Sequence, residues 1–333
     1  MLRPPVPAFV PAAFALLLVP AAASGQTGGQ VVTPLSPAVT PPVPDYSRPA
    51  DGGPRDWLRP PVQAGGWAET LSIFGGLTGA KQPQDLGVNA HFGGRLAANV
   101  GVPLFEPLGI GGQAGLAGVY QDDAVRVFET IPVDTDRGQL FATAGLFGKY
   151  ELWNWSVVYD GLYQDQWDTA TLTQFRGRVG LHLTERDEVG AWGTKNDRGA
   201  ETEFSEAGLP IELDAISQVN LFWRHQYESG AYTTLWGGVA DAPTELLLVT
   251  DPAADGTPGT AGVFGADFRA PLSRWAALYG EANFILPADT GTVDAFLGVE
   301  FYPAGNAGGY RTNRFAPILR PAGSPTFAVN ARR

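Results

Sequence analysis

The chain of 333 residues has no cysteine, one methionine, three histidines and only three lysines, at positions 81, 149 and 195. With no disulfide available, an exported form of this chain must close through hydrogen bonds and packing alone, which a large barrel can do. No segment after the N-terminus approaches the roughly 18 consecutive apolar residues of a transmembrane helix. Neither G-x-S-x-G nor H-E-x-x-H occurs, so the two commonest local signatures of hydrolases are missing. A net charge of −12 lacks the positive excess that a nucleic-acid partner requires, so none is expected.

What is present is strand-like. From Val88 to Val102, one face reads Val88, Ala90, Phe92, Gly94, Leu96, Ala98, Val100, Val102; the other reads Asn89, His91, Gly93, Arg95, Ala97, Asn99, Gly101. Successive strand residues point to opposite faces, so this stretch is apolar on one side and polar on the other. A bilayer-spanning strand needs about 9–11 residues, and this run is longer. The chain is also rich in glycine, with 43, and in tryptophan, with 9. Glycine and aromatics within short alternating strands are a composition of large β-barrels.

Residues 1–25 read as a secretory signal peptide: Arg3, an apolar run from Ala12 to Pro20, and small residues Ala21, Ala22 and Ala23. Residues 26–66 form a Pro/Gly-rich linker, in which nine prolines from Pro34 to Pro61 prevent a helix or a central strand. From Thr70 the alternation repeats and predicts twelve strands, near 70–79, 87–101, 109–121, 138–149, 153–164, 173–184, 188–195, 214–226, 231–240, 261–269, 275–285 and 292–302. Tight links near Tyr150-Glu151, Arg186-Asp187, Glu228-Ser229-Gly230 and Pro271-Leu272 contrast with long ones, Asp122 to Arg137, Asn196 to Leu213 and Asp241 to Thr260. Short turns on one rim and long loops on the other are what outer-membrane barrels show. The expected fold is all-β, an antiparallel up-and-down transmembrane β-barrel over residues 67–302.

Phe74-Gly75-Gly76, Asp85-Leu86-Gly87-Val88-Asn89, Gly109-Ile110-Gly111 with Gln113, and the run Leu140 to Phe147 are the segments that carry a family resemblance. On them, the chain resembles an uncharacterised family of planctomycete outer-membrane-type β-barrel proteins. The resemblance implies fold and location, and it brings no activity or functional residue. Outer-membrane lipid and the barrel assembly machinery are the partners it implies. One departure from ordinary outer-membrane barrels, which end on an aromatic residue of the last strand, stands out: 31 residues follow Phe301 and Tyr302, the aromatic pair closing the last strand here. This tail, 303–333, is Pro- and Gly-containing and basic, with Arg311, Arg314, Arg320, Arg332 and Arg333. Its expected state is a solvated periplasmic tail, with contact to an anionic surface as the alternative.

Trp67, Trp153, Trp155, Tyr163, Trp192, Tyr227, Trp236 and Tyr302 suit the aromatic girdles at the membrane interfaces. Charged side chains are costly against lipid and must point inward. The lumen candidates are therefore His91, Arg95, Lys149, Asp160, Arg176, Arg178, His182, Arg224, Asp267, Arg269 and Glu281, with Asp294 and Glu300 beside them. His225 is placed outside with Trp223 and Tyr227. Two readings follow. The charges line a porin-like passage for small ions or solutes, or they pair and hold the barrel shut. In the second case the acidic loops carry a structural or surface-interaction role. Twelve strands lie between filled barrels of about eight and channels of 16–18, so size does not choose. An enzyme, a cofactor and a metal site are not expected; the acidic loops lack EF-hand spacing.

Overall fold

The computed structural model describes residues 66–85, 90–123, 136–166, 168–204, 209–241, 259–286 and 292–332. The signal-peptide and linker segments lie outside them. Among the described residues the strands are β1 (Ser72–Lys81), β2 (His91–Phe105), β3 (Ile110–Asp123), β4 (Arg137–Lys149), β5 (Trp153–Asp165), β6 (Thr169–His182), β7 (Asp187–Arg198), β8 (Ala200–Phe204), β9 (Leu209–Ala215), β10 (Gln218–Gln226), β11 (Tyr232–Asp241), β12 (Thr260–Pro271), β13 (Ala276–Ile285), β14 (Thr292–Phe301) and β15 (Val329–Arg332). Twelve of them, β1–β7 and β10–β14, form a closed antiparallel barrel in which β1 pairs with both β2 and β14. Closure removes every sheet edge, which is the condition for a sheet to live in lipid.

Each of the twelve strands expected from the alternation is present. Their faces fall as the period of two requires. Phe92, Leu96, Leu116, Val157, Phe175, Leu221 and Leu297 are exposed on the outside, while Arg95, Asn99, Gln113, Ser156, Asp160, Gln174 and Asn220 are buried inside. The short connections fall at 106–109, 150–152, 183–186, 227–231 and 272–275, all on one rim. Gly109 (φ 69°) and Gly230 (φ 77°) occupy the left-handed region in two of these turns, where a side chain is strained. β1 begins and β14 ends on this short-turn rim.

Two segments depart from expectation. The 196–213 connection contains most of a β-hairpin, β8 and β9, rather than irregular loop. Ile211, Leu213 and Ala215 alternate with Glu212 and Asp214, and the apolar set packs inward onto Phe141, Leu162 and Leu172 of the barrel wall. The tail is not solvated. Residues 302–332 enter the barrel from the short-turn rim, and β15 finishes by pairing with β9, Val329 opposite Ala215 and Arg332 opposite Glu212. Tyr302, Ala307, Phe315, Ala316, Ala322, Phe327, Ala328, Val329 and Ala331 are all essentially inaccessible to solvent. Apolar side chains spaced through the tail outweigh its proline and glycine content. Once buried, Arg311 and Arg320 find carboxylate partners on the wall, Glu188 and Glu300, while Arg314 donates to the Glu106 carbonyl.

The girdle assignments are corrected at three positions. Trp192 and Trp236 point into the barrel, edge to face with ring centroids 5.7 Å apart, because they share strand parity with Glu188 and Thr234. Trp236 Nε1 donates to Asn283 Oδ1 at 2.9 Å. Tyr302 is fully buried beneath the tail it begins. Trp67, Tyr163 and Tyr227 remain on the outside.

An arginine at Leu96, in the outward apolar belt, is expected to cost about 2–4 kcal/mol, the penalty for a cation against hydrocarbon. Urea unfolding of the barrel in lipid vesicles measures this.

Candidate functional site: the occupied lumen

The interior is where the charged residues converge, and several of them bind the tail. At the short-turn rim, Lys149 Nζ donates to the carbonyls of Arg311 and Asn313 at 3.2 and 3.0 Å. Tyr310 Oη donates to Thr70 O at 2.7 Å, and Arg269 donates to Ala307 O. Farther in, Asn99 and Gln113 both donate to Leu319 O, at 3.0 and 2.9 Å. Arg95 Nη2 bridges Pro321 O and Ala322 O at 3.1 and 3.0 Å. Ala322 N donates to Thr143 Oγ1 at 3.0 Å, and Gln174 Nε2 to Thr326 O at 2.8 Å. Toward the long-loop rim, Val329 N donates to Gln82 Oε1 at 3.2 Å. The tail has little hydrogen-bonded secondary structure before β15, so its backbone groups must find partners in the wall.

Glycine makes room for it. Gly101 of β2 and Gly115 of β3 face inward, and a Cβ at Gly115 would lie 2.6 Å from Pro321 Cγ; at Gly101 it would collide with the Phe315 carbonyl.

Ion pairs tie the same parts together. Arg320 of the tail meets Glu300 at 2.9 Å, with Arg269 3.7 Å from the same carboxylate. Tyr302 Oη donates to Glu300 and accepts from Arg269 Nε. Glu188 gathers Arg178 at 2.8 Å, Arg224 at 3.3 Å and Arg311 of the tail at 3.2 Å. Arg176 pairs with Asp160 at 2.9 Å and donates to Arg320 O at 2.7 Å.

Of the residues picked from the sequence, His91, Arg95, Asp160, Arg176, Arg224 and Arg269 are buried inside, and Arg178 and Asp267 have nearly buried side chains there. Glu281 accepts from Tyr279 Oη at 2.6 Å. Lys149 and His182 stand near the short-turn rim; His91 begins β2 at the opposite rim, so the two inward histidines share no constellation. His225 lies on the outer face against Asp187, as expected. Sequence reasoning missed Glu188, the centre of the largest ion cluster. Placing Trp192 outside assigned β7 the wrong parity, and Glu188 shares that parity. It also left Gln113, Thr143 and Gln174 out of the candidates, although their polar side chains recur inward at mid-strand and Gln174 shares the face of Arg176.

The lumen is divided. Toward the long-loop rim, Phe141, Leu162, Leu172, Ile211, Leu213, Phe327 and Val329 form a dry core. Toward the short-turn rim a polar cavity of about 260 Å³ remains, between Lys149, Arg224, Tyr232, Tyr310 and Arg311. Among the described residues no cluster of His, Cys, Asp and Glu suits a metal ion.

This architecture defines an outer-membrane-type β-barrel whose lumen holds the chain's own C-terminal segment. The chain belongs to DUF6666, a family of unknown function, matched over residues 70–329 and so well into the tail. No curated protein matches it. Among solved structures it is similar to the translocator domain of the autotransporter NalP from Neisseria meningitidis, at 14% identity and TM-score 0.44, over 69% of this chain and 87% of that one. It is also similar to outer membrane phospholipase A from Escherichia coli, at 8% identity and TM-score 0.37, over 69% and 95%. The anion-selective porin from Comamonas acidovorans gives 8% and 0.32, over 69% and 98%. These likenesses extend to the barrel fold alone.

Replacing Glu188 with glutamine would leave three arginines facing one another without their shared anion. The expected loss is about 3–5 kcal/mol in denaturant unfolding. The exposed pair Arg186–Glu228 serves as the control, and breaking it should cost no more than about 1 kcal/mol.

Proposed function

We propose that this protein is an exported outer-membrane barrel that is closed at rest by its C-terminal tail, with a structural or surface-interaction role on its long-loop side. The observation that carries this reading is the path of residues 302–332 through the lumen, held by hydrogen bonds from several wall strands to tail carbonyls. Interior charges that would set selectivity in an open porin are here engaged with the tail or with one another. Passive passage of small ions or solutes then requires displacement of the tail. The long-loop rim presents acidic side chains, among them Asp197, Glu201, Glu203 and Glu212, around the β8–β9 hairpin. In this reading residues 1–25 direct export and are removed, outer-membrane lipid surrounds the apolar belt, and assembly machinery inserts the barrel.

Conductance across a planar bilayer tests the closed state. The mature chain, refolded in detergent and checked by circular dichroism, should leave the bilayer silent. Gly115→Leu, which drives a side chain into Pro321, should give discrete current steps, as should truncation after Tyr302. Steady steps from the unaltered chain would contradict the reading.

A further inference from the structure

The polar cavity at the short-turn rim carries more positive charge than its acids offset. Arg224, Arg311 and Lys149 line it, and Arg178 pairs with Glu188 in its lining; the acids set against them are Glu188 and, 3.7 Å from Arg224, Asp267. The side chains of Arg178, Arg224 and Glu188 are each more than nine-tenths buried. Glu188 is fully committed, taking Asn154 Nδ2 at 2.9 Å in addition to three arginines. Among the described residues, Arg178 Nε and Arg311 Nη1 are buried with no hydrogen-bond partner, and Lys149 Nζ donates to two backbone carbonyls. The remaining carboxylates of the lining are engaged or outside. Glu300 is held by Arg320 and Arg269, Asp187 by His225, and Glu185 is exposed at the rim. Buried cations without anions are expensive, and orphaned buried donors add to the cost.

We propose that this cavity is a binding site for a small phosphoryl or similar multiply charged oxyanion, held between Lys149 and Arg224 of the wall and Arg311 of the tail. Guanidinium forks and an ammonium are the donors such an anion takes, and the cavity of about 260 Å³ admits one. Turn residues Glu185 and Arg186 line its outer side, so entry is from the short-turn rim. Because one ligand side chain belongs to the tail and two to the wall, a bound anion clamps the tail in place. The proposal rests on the tail lying in the lumen.

Isothermal titration of the full chain in non-ionic detergent with inorganic phosphate, against chloride at matched ionic strength, tests it. Saturable binding is expected, weakened at least tenfold in Lys149→Gln and in Arg311→Gln and retained in Lys149→Arg, with circular dichroism confirming each fold. Dihexanoyl phosphatidic acid separates the sources. Binding of that lipid but not of free phosphate supports the site as one for a lipid headgroup; binding of phosphate supports one for a free anion. No saturable binding of either, or an affinity indifferent to both glutamine variants, would overturn the proposal. That result with a silent bilayer rejects the anion site alone, whereas a conducting full-length chain rejects the plug on which it rests.

Discussion

The structure depends on one constraint: a peptide backbone that enters a barrel must have its polar groups satisfied there. Residues 303–328 contain no strand and only short 3-10 turns, so water or the wall must supply the partners. Here the wall does. Inward amides, hydroxyls and guanidiniums from β2, β3, β4 and β6 are spaced to meet successive tail groups, and the tail ends by adding a strand to the β8–β9 hairpin. Polar residues that would line water in an open channel serve here as a template for the tail.

The division of the lumen follows. On the long-loop side the hairpin and the end of the tail bring apolar side chains together, and Phe141 meets Phe327 at 5.9 Å between ring centroids. On the short-turn side the tail carries Arg311, Arg314 and Arg320, and the wall answers with Glu188 and Glu300. A buried ion pair adds little net stability against an apolar replacement, yet breaking one is costly. The charged half therefore fixes where the tail sits, while the apolar half supplies most of the gain from burial.

The barrel was legible because its rule is strict: a period of two, apolar outward and polar inward, repeated twelve times. Two features were harder to see. The β8–β9 hairpin alternates as clearly as the wall, with Ile211, Leu213 and Ala215 on one parity, but Glu201, Glu203 and Glu212 in the same connection suggested an acidic loop. The tail's prolines and glycines suggested a solvated segment, although Phe315, Leu319, Phe327 and Val329 are spaced through it. The best signal lay in the wall itself. Phe141, Leu162 and Leu172 are inward positions at which an open, watery lumen has no use for large apolar groups. Inward glycines such as Gly101 and Gly115 marked the path of a second chain segment.

The central claim is that the tail lies in the lumen of the assembled barrel. The chain has no cysteine of its own, so a single engineered pair reports cleanly. Thr143 Oγ1 accepts from Ala322 N at 3.0 Å, close enough for a disulfide between Thr143→Cys and Ala322→Cys. Oxidation of this double variant in native outer membranes should cross-link the tail to β4 nearly completely, seen as a mobility shift that reductant reverses. A pair that stays reduced, with Ala322→Cys open to a water-soluble thiol reagent, would contradict the account.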